Sequence, residues 1–179
     1  MTDVVEKVLI SEEEIAACVD RLASEINRDY EGKEIILVGL LKGSFVFMGD
    51  LMRKLSMPVS IDFMIVSSYG GRTVSSGEVN MKKDIGESIE GKHVIIVEDI
   101  IDSGITLSAV MEILRGRNPA SLRLCAFLSK PARRVKEVQI DYLGMEIPDA
   151  FVIGYGLDYD EKYRNIPCVG ILNPKYINE

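Results

Sequence analysis

Three carboxylates and two hydroxyls fall within a short segment near the middle of the chain, directly after an apolar run. The segment reads Val94-Ile95-Ile96-Val97-Glu98-Asp99-Ile100-Ile101-Asp102-Ser103-Gly104-Ile105-Thr106. The apolar run predicts a buried strand, and Ser-Gly-x-Thr predicts a turn that opens a helix. Backbone N–H groups and hydroxyls at the positive end of a helix dipole suit a phosphate monoester.

The adjacent acids Glu98 and Asp99 stand just before this phosphate cradle. They would repel an anion unless they bound something else. Sugar hydroxyls, which donate hydrogen bonds, and Mg²⁺, which takes oxygen ligands, are the two natural candidates. A solvated acidic turn with an ordinary helix cap would explain the two acids alone, but it does not explain the whole string after a buried strand.

The elements that position this turn are strands alternating with helices. Ser11 and Glu14 form a capping-box pattern at a helix start. The pattern predicts an α/β fold with a largely parallel sheet, whose ligands gather at the carboxyl ends of the strands. Predicted strands are 35–40, 59–66, about 78–82, 93–97, 122–128, 151–153 and 169–172; predicted helices start near 11, 44 (reaching about Leu55) and 107.

Composition limits the classes of function. The chain has 179 residues and a formal net charge of −7, which argues against a general nucleic-acid binder. Its three cysteines are widely spaced, so buried free thiols in a reducing compartment are expected. No signal peptide or membrane-length apolar run is present, and we expect one cytoplasmic domain over residues 1–179 with no membrane partner.

The acidic strand end followed by Asp-Ser-Gly-x-Thr resembles the signature of the type I phosphoribosyltransferase family, and its hypoxanthine-guanine branch most closely. Walker, dinucleotide-binding and nucleophile-elbow motifs are absent from the sequence. The resemblance implies the fold of that family: a largely parallel sheet flanked by helices, a flexible hairpin lid and a small hood built from terminal segments. It covers about residues 10 to 171.

The resemblance also implies an activity. Phosphoribosyl pyrophosphate (PRPP) and hypoxanthine or guanine would give IMP or GMP and pyrophosphate, with Mg²⁺ as cofactor. Asp102 matches the base that takes the proton from purine N7. For the sugar and its phosphate, the matches are Glu98 and Asp99 on the ribose hydroxyls and Asp102, Ser103, Gly104, Ile105 and Thr106 around the 5′-phosphate. For the leaving group and the metal, they are Leu41, Lys42, Gly43 and Arg164 at pyrophosphate and Glu98, Asp99 and Asp158 at Mg²⁺. For the base and the lid, they are Lys130, Phe151, Val152 and Asp158 near the purine and Ser68 and Tyr69 in the lid.

Details of these matches carry further expectations. Relatives hold the Leu41–Lys42 peptide bond in the cis form. Vertebrate relatives often have Lys where this chain has Ile105, whereas bacterial relatives commonly have an apolar residue there. Lys130 would donate to the purine 6-oxygen, while Phe151 would stack on the base. The lone histidine, His93, matches no catalytic role and is expected to be structural or exposed. A homodimer or homotetramer is expected because relatives form both.

Two alternatives remain open at this point. An RNA-binding regulator that reuses the fold would need a basic face, for which the only modest grouping is Arg115, Arg117, Arg123, Arg133 and Arg134. A xanthine-guanine or pyrimidine transferase is the enzymatic alternative. The preference among hypoxanthine, guanine and xanthine is not determined by these residues.

Overall fold

The computed structural model describes residues 3–68 and 79–177, and in those ranges strands and helices alternate along the chain. The helices are Glu12–Asp29 (α1), Phe45–Met52 (α2) and Ile105–Arg115 (α3). The strands are Val5–Ile10 (β1), Ile35–Leu40 (β2), Val59–Ser68 (β3), Val79–Lys83 (β4), His93–Ile101 (β5), Ser121–Ser129 (β6), Tyr142–Glu146 (β7), Val152–Ile153 (β8) and Val169–Leu172 (β9).

Six of the strands form one sheet in the order β4-β3-β2-β5-β6-β7. Every pairing in it is parallel except β3 with β4, which run antiparallel. This confirms the predicted α/β architecture. It also confirms a strand before the predicted lid and a strand after it. Tyr69 and most of the lid lie outside the described residues, and so does the side chain of Ser68.

Helices cover both faces of this sheet because strand side chains alternate between them. Leu37 and Ile95 belong to the core shared with α1 and α2, whereas Val38 and Ile96 belong to the core shared with α3. Such two-sided burial explains why these strands read as continuous apolar runs. No helix among the described residues has the length and apolar character needed to cross a membrane.

The first helix begins as its sequence predicts. Ser11 accepts a hydrogen bond from Glu14 N, and the Glu14 carboxylate accepts one from Ser11 N, at 3.2 and 2.8 Å. Helix α2 is shorter than expected: it ends at Met52 because Leu55 N bonds to Met52 O in a turn that does not continue the helix. The prediction that this helix reaches Leu55 was wrong.

A second, three-stranded sheet has the order β1-β9-β8 and is antiparallel. It joins a strand near the start of the chain to two near its end and has a separate apolar core that includes Val4, Ile153 and Ile166. We call this sheet the hood. Sequence patterns did not indicate β1 or β7, whose residues are mostly half-exposed or polar.

Strand β5 extends further than its apolar run. Glu98 pairs with Ala126, and Ile101 pairs with Ser129, so the two acids lie within the strand and the turn starts only at Asp102. The predicted end of this strand at residue 97 is therefore wrong, because pairing with β6 continues through both acids. One consequence is that strand geometry, rather than a loop, orients both carboxylates.

Candidate active site

Three neighbouring parallel strands end at one edge of the main sheet. Strand β2 leads into Leu41, β5 into Asp102 and β6 into Lys130, and Lys130 N donates to Ile101 O at 2.9 Å. Carboxyl ends of parallel strands are where ligands of α/β sheets collect. The fold therefore brings together three sequence segments that the chain keeps far apart.

The 102–106 loop connects β5 to α3 and lines a cavity of about 150 Å³. Gly104 is the helix N-cap and adopts a left-handed conformation, with φ 77°. The N-cap itself has no side chain to close this end of the helix. Ile105 N donates to Ser103 Oγ at 3.4 Å, and the N–H groups that follow have no intrahelical acceptor. Together with the hydroxyls of Ser103 and Thr106, they form an anion-binding arrangement.

The acidic pair sits beside this cavity in a poorly solvated setting. Within the described residues, Glu98 Oε2 is shielded from solvent and accepts no hydrogen bond. Burial, followed by repulsion from Asp99, raises the pKa of Glu98 well above its usual range. Burial also raises the pKa of Asp99 to about 6, while a hydrogen bond from Ile100 N opposes the shift. A hydrogen-bond donor or a cation would relieve both desolvated acids.

The 41–43 loop presses directly against the acidic pair. The Leu41–Lys42 peptide bond is cis, as the sequence resemblance led us to expect. A Cβ atom on Gly43 would lie 1.6 Å from Asp99 Oδ2, so only glycine fits there. With Glu98, Asp99 and Thr106, this loop lines a second cavity of about 220 Å³.

The segment from Asp158 to Arg164 closes this second cavity. Arg164 Nη1 lies 2.9 Å from Asp158 Oδ1, and Arg164 Nη2 donates to Glu161 Oε2 at 3.2 Å. Glu161 Oε2 also accepts from Lys42 Nζ at 2.9 Å. Glu161 therefore holds the two cations, Lys42 and Arg164, that the sequence assigned to pyrophosphate. Sequence reasoning missed Glu161, although its spacing of three from Arg164 in an acidic stretch was a usable signal.

Asp102 Oδ1 accepts no hydrogen bond from a described residue, although Arg133 Nε lies 3.2 Å away. The orientation of the pair is that of an ion pair without a hydrogen bond. Arg133 Nη1 also donates to Asp149 Oδ1 at 3.4 Å. Asp102 thus has a carboxylate oxygen without a hydrogen-bond partner at the junction of β5 and α3.

Of the four residues expected near the purine, Asp158 lines the second cavity, and the other three lie at the end of β6 and at the start of β8. Lys130 is only 7% exposed at the end of β6, whereas Val152 begins β8 in the hood. Phe151 is 50% exposed, and its ring meets Tyr159 edge-on with centroids 5.6 Å apart. None of Lys130, Phe151 and Val152 lines either of the two cavities. Of the predicted site, the structure gathers the phosphate and acidic parts most closely.

A larger cleft of about 850 Å³ lies away from these residues, at the amino ends of β2, β3 and β5. Its walls include Ile36, Asp62 and His93. His93 Nδ1 lies 2.8 Å from Ser121 Oγ, in keeping with the structural role expected for it. The amino ends of parallel strands are not where such sheets bind ligands, so we place the site at the opposite edge.

A buried acidic strand end beside the amino end of α3 suits a sugar that carries a phosphate. The chain belongs to the phosphoribosyltransferase family: the model of the phosphoribosyl transferase domain matches residues 9–160. Within that family it resembles hypoxanthine-guanine phosphoribosyltransferase of Bacillus subtilis (strain 168), with 49% identity over 170 residues, 95% of this chain and 94% of the relative.

Solved structures agree with this placement. A hypoxanthine phosphoribosyltransferase from Staphylococcus aureus superposes with a TM-score of 0.95 at 46% identity, covering 100% of this chain and 97% of that one. The hypoxanthine phosphoribosyl transferase of Trypanosoma cruzi gives a TM-score of 0.91 at 42% identity, covering 97% and 94%. These matches confirm the type I phosphoribosyltransferase fold and the hypoxanthine-guanine branch expected from the sequence.

Proposed function

We propose that this enzyme transfers the 5-phosphoribosyl group of PRPP to hypoxanthine or guanine, giving IMP or GMP and pyrophosphate. The similarity to hypoxanthine-guanine phosphoribosyltransferases supports the reaction. The observation that carries the site is Glu98 Oε2, a shielded carboxylate oxygen with no partner among the described residues, beside the open N-terminus of α3. This oxygen is suited to accept a hydrogen bond from a sugar hydroxyl, and the N-terminus of α3 is suited to a phosphate on the same sugar.

In the reaction, the bond from ribose C1′ to the pyrophosphate oxygen breaks and a bond from purine N9 to C1′ forms. Glu98 and Asp99 accept hydrogen bonds from the ribose hydroxyls, and the 102–106 loop surrounds the 5′-phosphate. Asp102 takes the N7 proton, a step worth about 10²–10⁴-fold when the base is well placed. Lys130 donates to the 6-oxygen, Phe151 stacks on the base and Val152 contacts its edge. Holding C1′ opposite N9 supplies much of the remaining acceleration.

Leu41, Lys42, Gly43 and Arg164 are the residues for the leaving pyrophosphate. Lys42 and Arg164 already bind a carboxylate, Glu161, and a pyrophosphate would take its place. The lid residues Ser68 and Tyr69 would cover the reacting centre and exclude water.

The donor set also fits Mg²⁺, the cofactor of this proposal. Glu98, Asp99 and Asp158 supply hard oxygen ligands, and a cation would stabilise the charged forms of acids that burial disfavours. No group of three acidic, histidine or cysteine side chains in the described ranges is arranged to hold a metal by itself. Glu98, Asp99 and Asp158 would hold the ion together with a bound substrate. When bound, the ion neutralises charge on the leaving pyrophosphate.

We place the reaction in the cytoplasm of the cell, in a chain that works as one domain over residues 1–179. Its three cysteines are free, two of them buried, as expected for a reducing compartment. The arginine grouping gives the RNA-binding alternative little support. Arg117 pairs with Asp84 and Arg123 pairs with Asp29, so much of its positive charge is already neutralised.

Spectrophotometric turnover with hypoxanthine, guanine and xanthine, each with and without Mg²⁺, tests the proposal. We expect turnover of the first two bases that requires both PRPP and Mg²⁺. Absence of turnover with every purine in the complete mixture would remove the proposed function. Turnover of xanthine in preference to hypoxanthine would move the enzyme to the xanthine-guanine alternative.

Asp102→Asn tests the assignment of the base. The amide keeps the shape of the side chain but cannot accept the N7 proton, so kcat should fall by about 10²–10⁴-fold. IMP binding, measured by calorimetry, should remain close to wild type. Asp20→Asn in α1, paired with Lys54 far from the site, is the matched control. Near-wild-type turnover of Asp102→Asn across the pH range would remove Asp102 from this role.

A further inference from the structure

One arginine behind the 102–106 loop has no role in the proposed reaction. Arg134 follows the short turn after β6 and is partly buried. Its Nε donates to Asp102 O at 3.2 Å, and its Nη2 donates to Ser129 Oγ at 2.7 Å. Ser129 is itself buried at the last position of β6. One guanidinium therefore ties the start of the 102–106 loop to the end of the neighbouring strand.

The residues after Arg134 hold the same loop from the same side. Val135 N and Lys136 N both donate to Ser103 O at 2.9 Å. A Cβ on Gly104 would lie 2.2 Å from Lys136 O and 3.1 Å from Arg134 Cδ, so the two segments are in direct contact. We call residues 134–136 the brace. The first three residues of the loop that is to receive the phosphate, 102–104, are thus supported by one adjacent segment.

The two ends of the Arg134 contact matter because of what lies next to them. Asp102 is the proposed base at purine N7, and Ser129 precedes Lys130, the proposed donor to the 6-oxygen. Both groups must meet the same purine ring at once. A rigid planar guanidinium with two fixed donors is a better spacer between them than a flexible ammonium.

The positive charge of Arg134 is not neutralised by an ion pair among the described residues. Among the described residues, the ion pairs of the neighbouring Arg133 go to Asp102 and Asp149, but Arg134 makes none with a carboxylate. Its positive charge lies behind a loop whose other side offers N–H groups to an anion. This arrangement adds positive potential at the proposed phosphate position without occupying it.

We propose that Arg134 is a positioning residue that sets the distance between Asp102 and Lys130 and holds the 102–106 loop in its phosphate-binding shape. The proposal rests on the proposed function for the identity of the substrate. It assigns no contact between Arg134 and the substrate. It adds the brace to the site, although none of the residues expected from the sequence resemblance belongs to it.

The test compares Arg134→Ala, Arg134→Lys and Ser129→Ala with a distant control, Arg28→Ala, on the exposed side of α1. Arg134→Ala should lower kcat by about 10–100-fold with little change in the KM for the purine, because both purine-binding groups remain but are misplaced. Guanidinium ion in the assay should restore part of the loss. Arg134→Lys, which keeps the charge but lacks the planar fork of fixed donors, and Ser129→Ala, with one acceptor removed, should each lose less.

A second measurement does not depend on turnover. The affinity of Arg134→Ala for IMP should fall while its affinity for inosine, which lacks the phosphate, stays near wild type. Wild-type kcat in Arg134→Ala, or equal weakening of IMP and inosine, would overturn the proposal. If wild-type protein turned over no purine, the proposed function would fail, and the ratio of IMP to inosine affinities would still decide the role of the brace. Should Arg134→Ala unfold, the same two measurements on Ser129→Ala decide it.

Discussion

Gly43 and Asp99 approach each other more closely than any side chain at position 43 would allow. The contact fixes the 41–43 loop against the acidic end of β5, and so sets where a leaving group lies relative to the sugar. At this scale, the site is defined by steric fit as much as by charge.

Gly43→Ala should therefore cost activity out of proportion to its size. The added Cβ would lie 1.6 Å from Asp99 Oδ2, so either the loop or the carboxylate must move. A misplacement of that order costs on the order of 10²-fold in kcat/KM. Gly49→Ala is the matched control: its Cβ meets nothing within 4 Å in the middle of α2, and it should stabilise the protein by about 0.5–1 kcal/mol. Steady-state kinetics and thermal unfolding separate the two outcomes.

Glu161 should act as a competitor of pyrophosphate, since it accepts hydrogen bonds from Lys42 and Arg164, the two cations proposed to bind the leaving group. Glu161→Gln removes the competing charge, so pyrophosphate should inhibit more strongly, by up to about fivefold, the scale of an exposed ion pair. Asp160→Asn, next in sequence and paired with Lys162, should leave inhibition unchanged. Weaker inhibition in Glu161→Gln would show that the carboxylate helps to bind the product.

Elements far from the site hold its strands in register. At the amino end of the main sheet, Tyr142 of β7 donates to Asp29 Oδ2 at 2.9 Å, and Arg123 of β6 donates to both residues, at 2.6 Å to the Tyr142 hydroxyl and 2.7 Å to Asp29. The cluster joins α1 to β7 and to β6, and the opposite end of β6 leads into Lys130. The hydrogen bond from Tyr142 is the largest reason why the pKa of Asp29 lies below its usual value.

Tyr142→Phe should destabilise the fold by about 1 kcal/mol at neutral pH. Because the pKa of Asp29 is lowered in the folded state, this contribution is present above the unfolded-state value, about 3.9, and is lost as the pH falls through the folded-state value. The difference between wild type and Tyr142→Phe should shrink below about pH 4. Tyr159→Phe removes a bond to the neutral Ile177 carbonyl and should show no such dependence. Urea unfolding at pH 7 and pH 3 measures both; a Tyr142→Phe loss independent of pH would contradict the assignment.

The helices and strands also show which features of the fold can be predicted from the sequence. Buried parallel strands and the capped α1 helix were predictable because their apolar runs and caps are local. The hood strand β1 was not, because its partner β9 lies at the other end of the chain. Likewise, Gly43 against Asp99 and Arg134 behind Asp102 depend on segments that meet only in the fold. Residue matching gave the types of group in the site, and the fold gave their supports.

On the scale of the whole molecule, one side of the protein exposes apolar side chains beside α2. Phe45 and Met52 are two helical turns apart and so share a side of α2. Ile61 lies on the face of β3 that also carries Phe63, which packs near Met48 of that helix. Contiguous exposed apolar residues mark association surfaces. We expect a second copy of the chain to cover this side, in the homodimer or homotetramer proposed from the sequence.

Light scattering tests this association. Wild-type protein should give a mass two or four times that of the 19.9 kDa chain. Met52→Glu should shift the mass towards a single chain at low protein concentration, because a charge would be buried in the contact. Ile113→Glu is the control, since Ile113 is equally exposed at 37% but lies on α3, across the sheet. A single-chain mass for wild type, or equal effects of both substitutions, would contradict the expected surface.

The antiparallel pairing of β1 with β9 places the two ends of the described chain side by side. Asn173 Nδ2 donates to Asp3 O at 3.1 Å, and Lys175 forms an ion pair with Asp3. A short peptide linker would therefore span them, and new termini could be opened in the exposed turn between α3 and β6. Such a circular permutant would keep every strand pairing while moving the start of translation to the middle of the sheet, which makes the protein a candidate scaffold for inserting reporter domains.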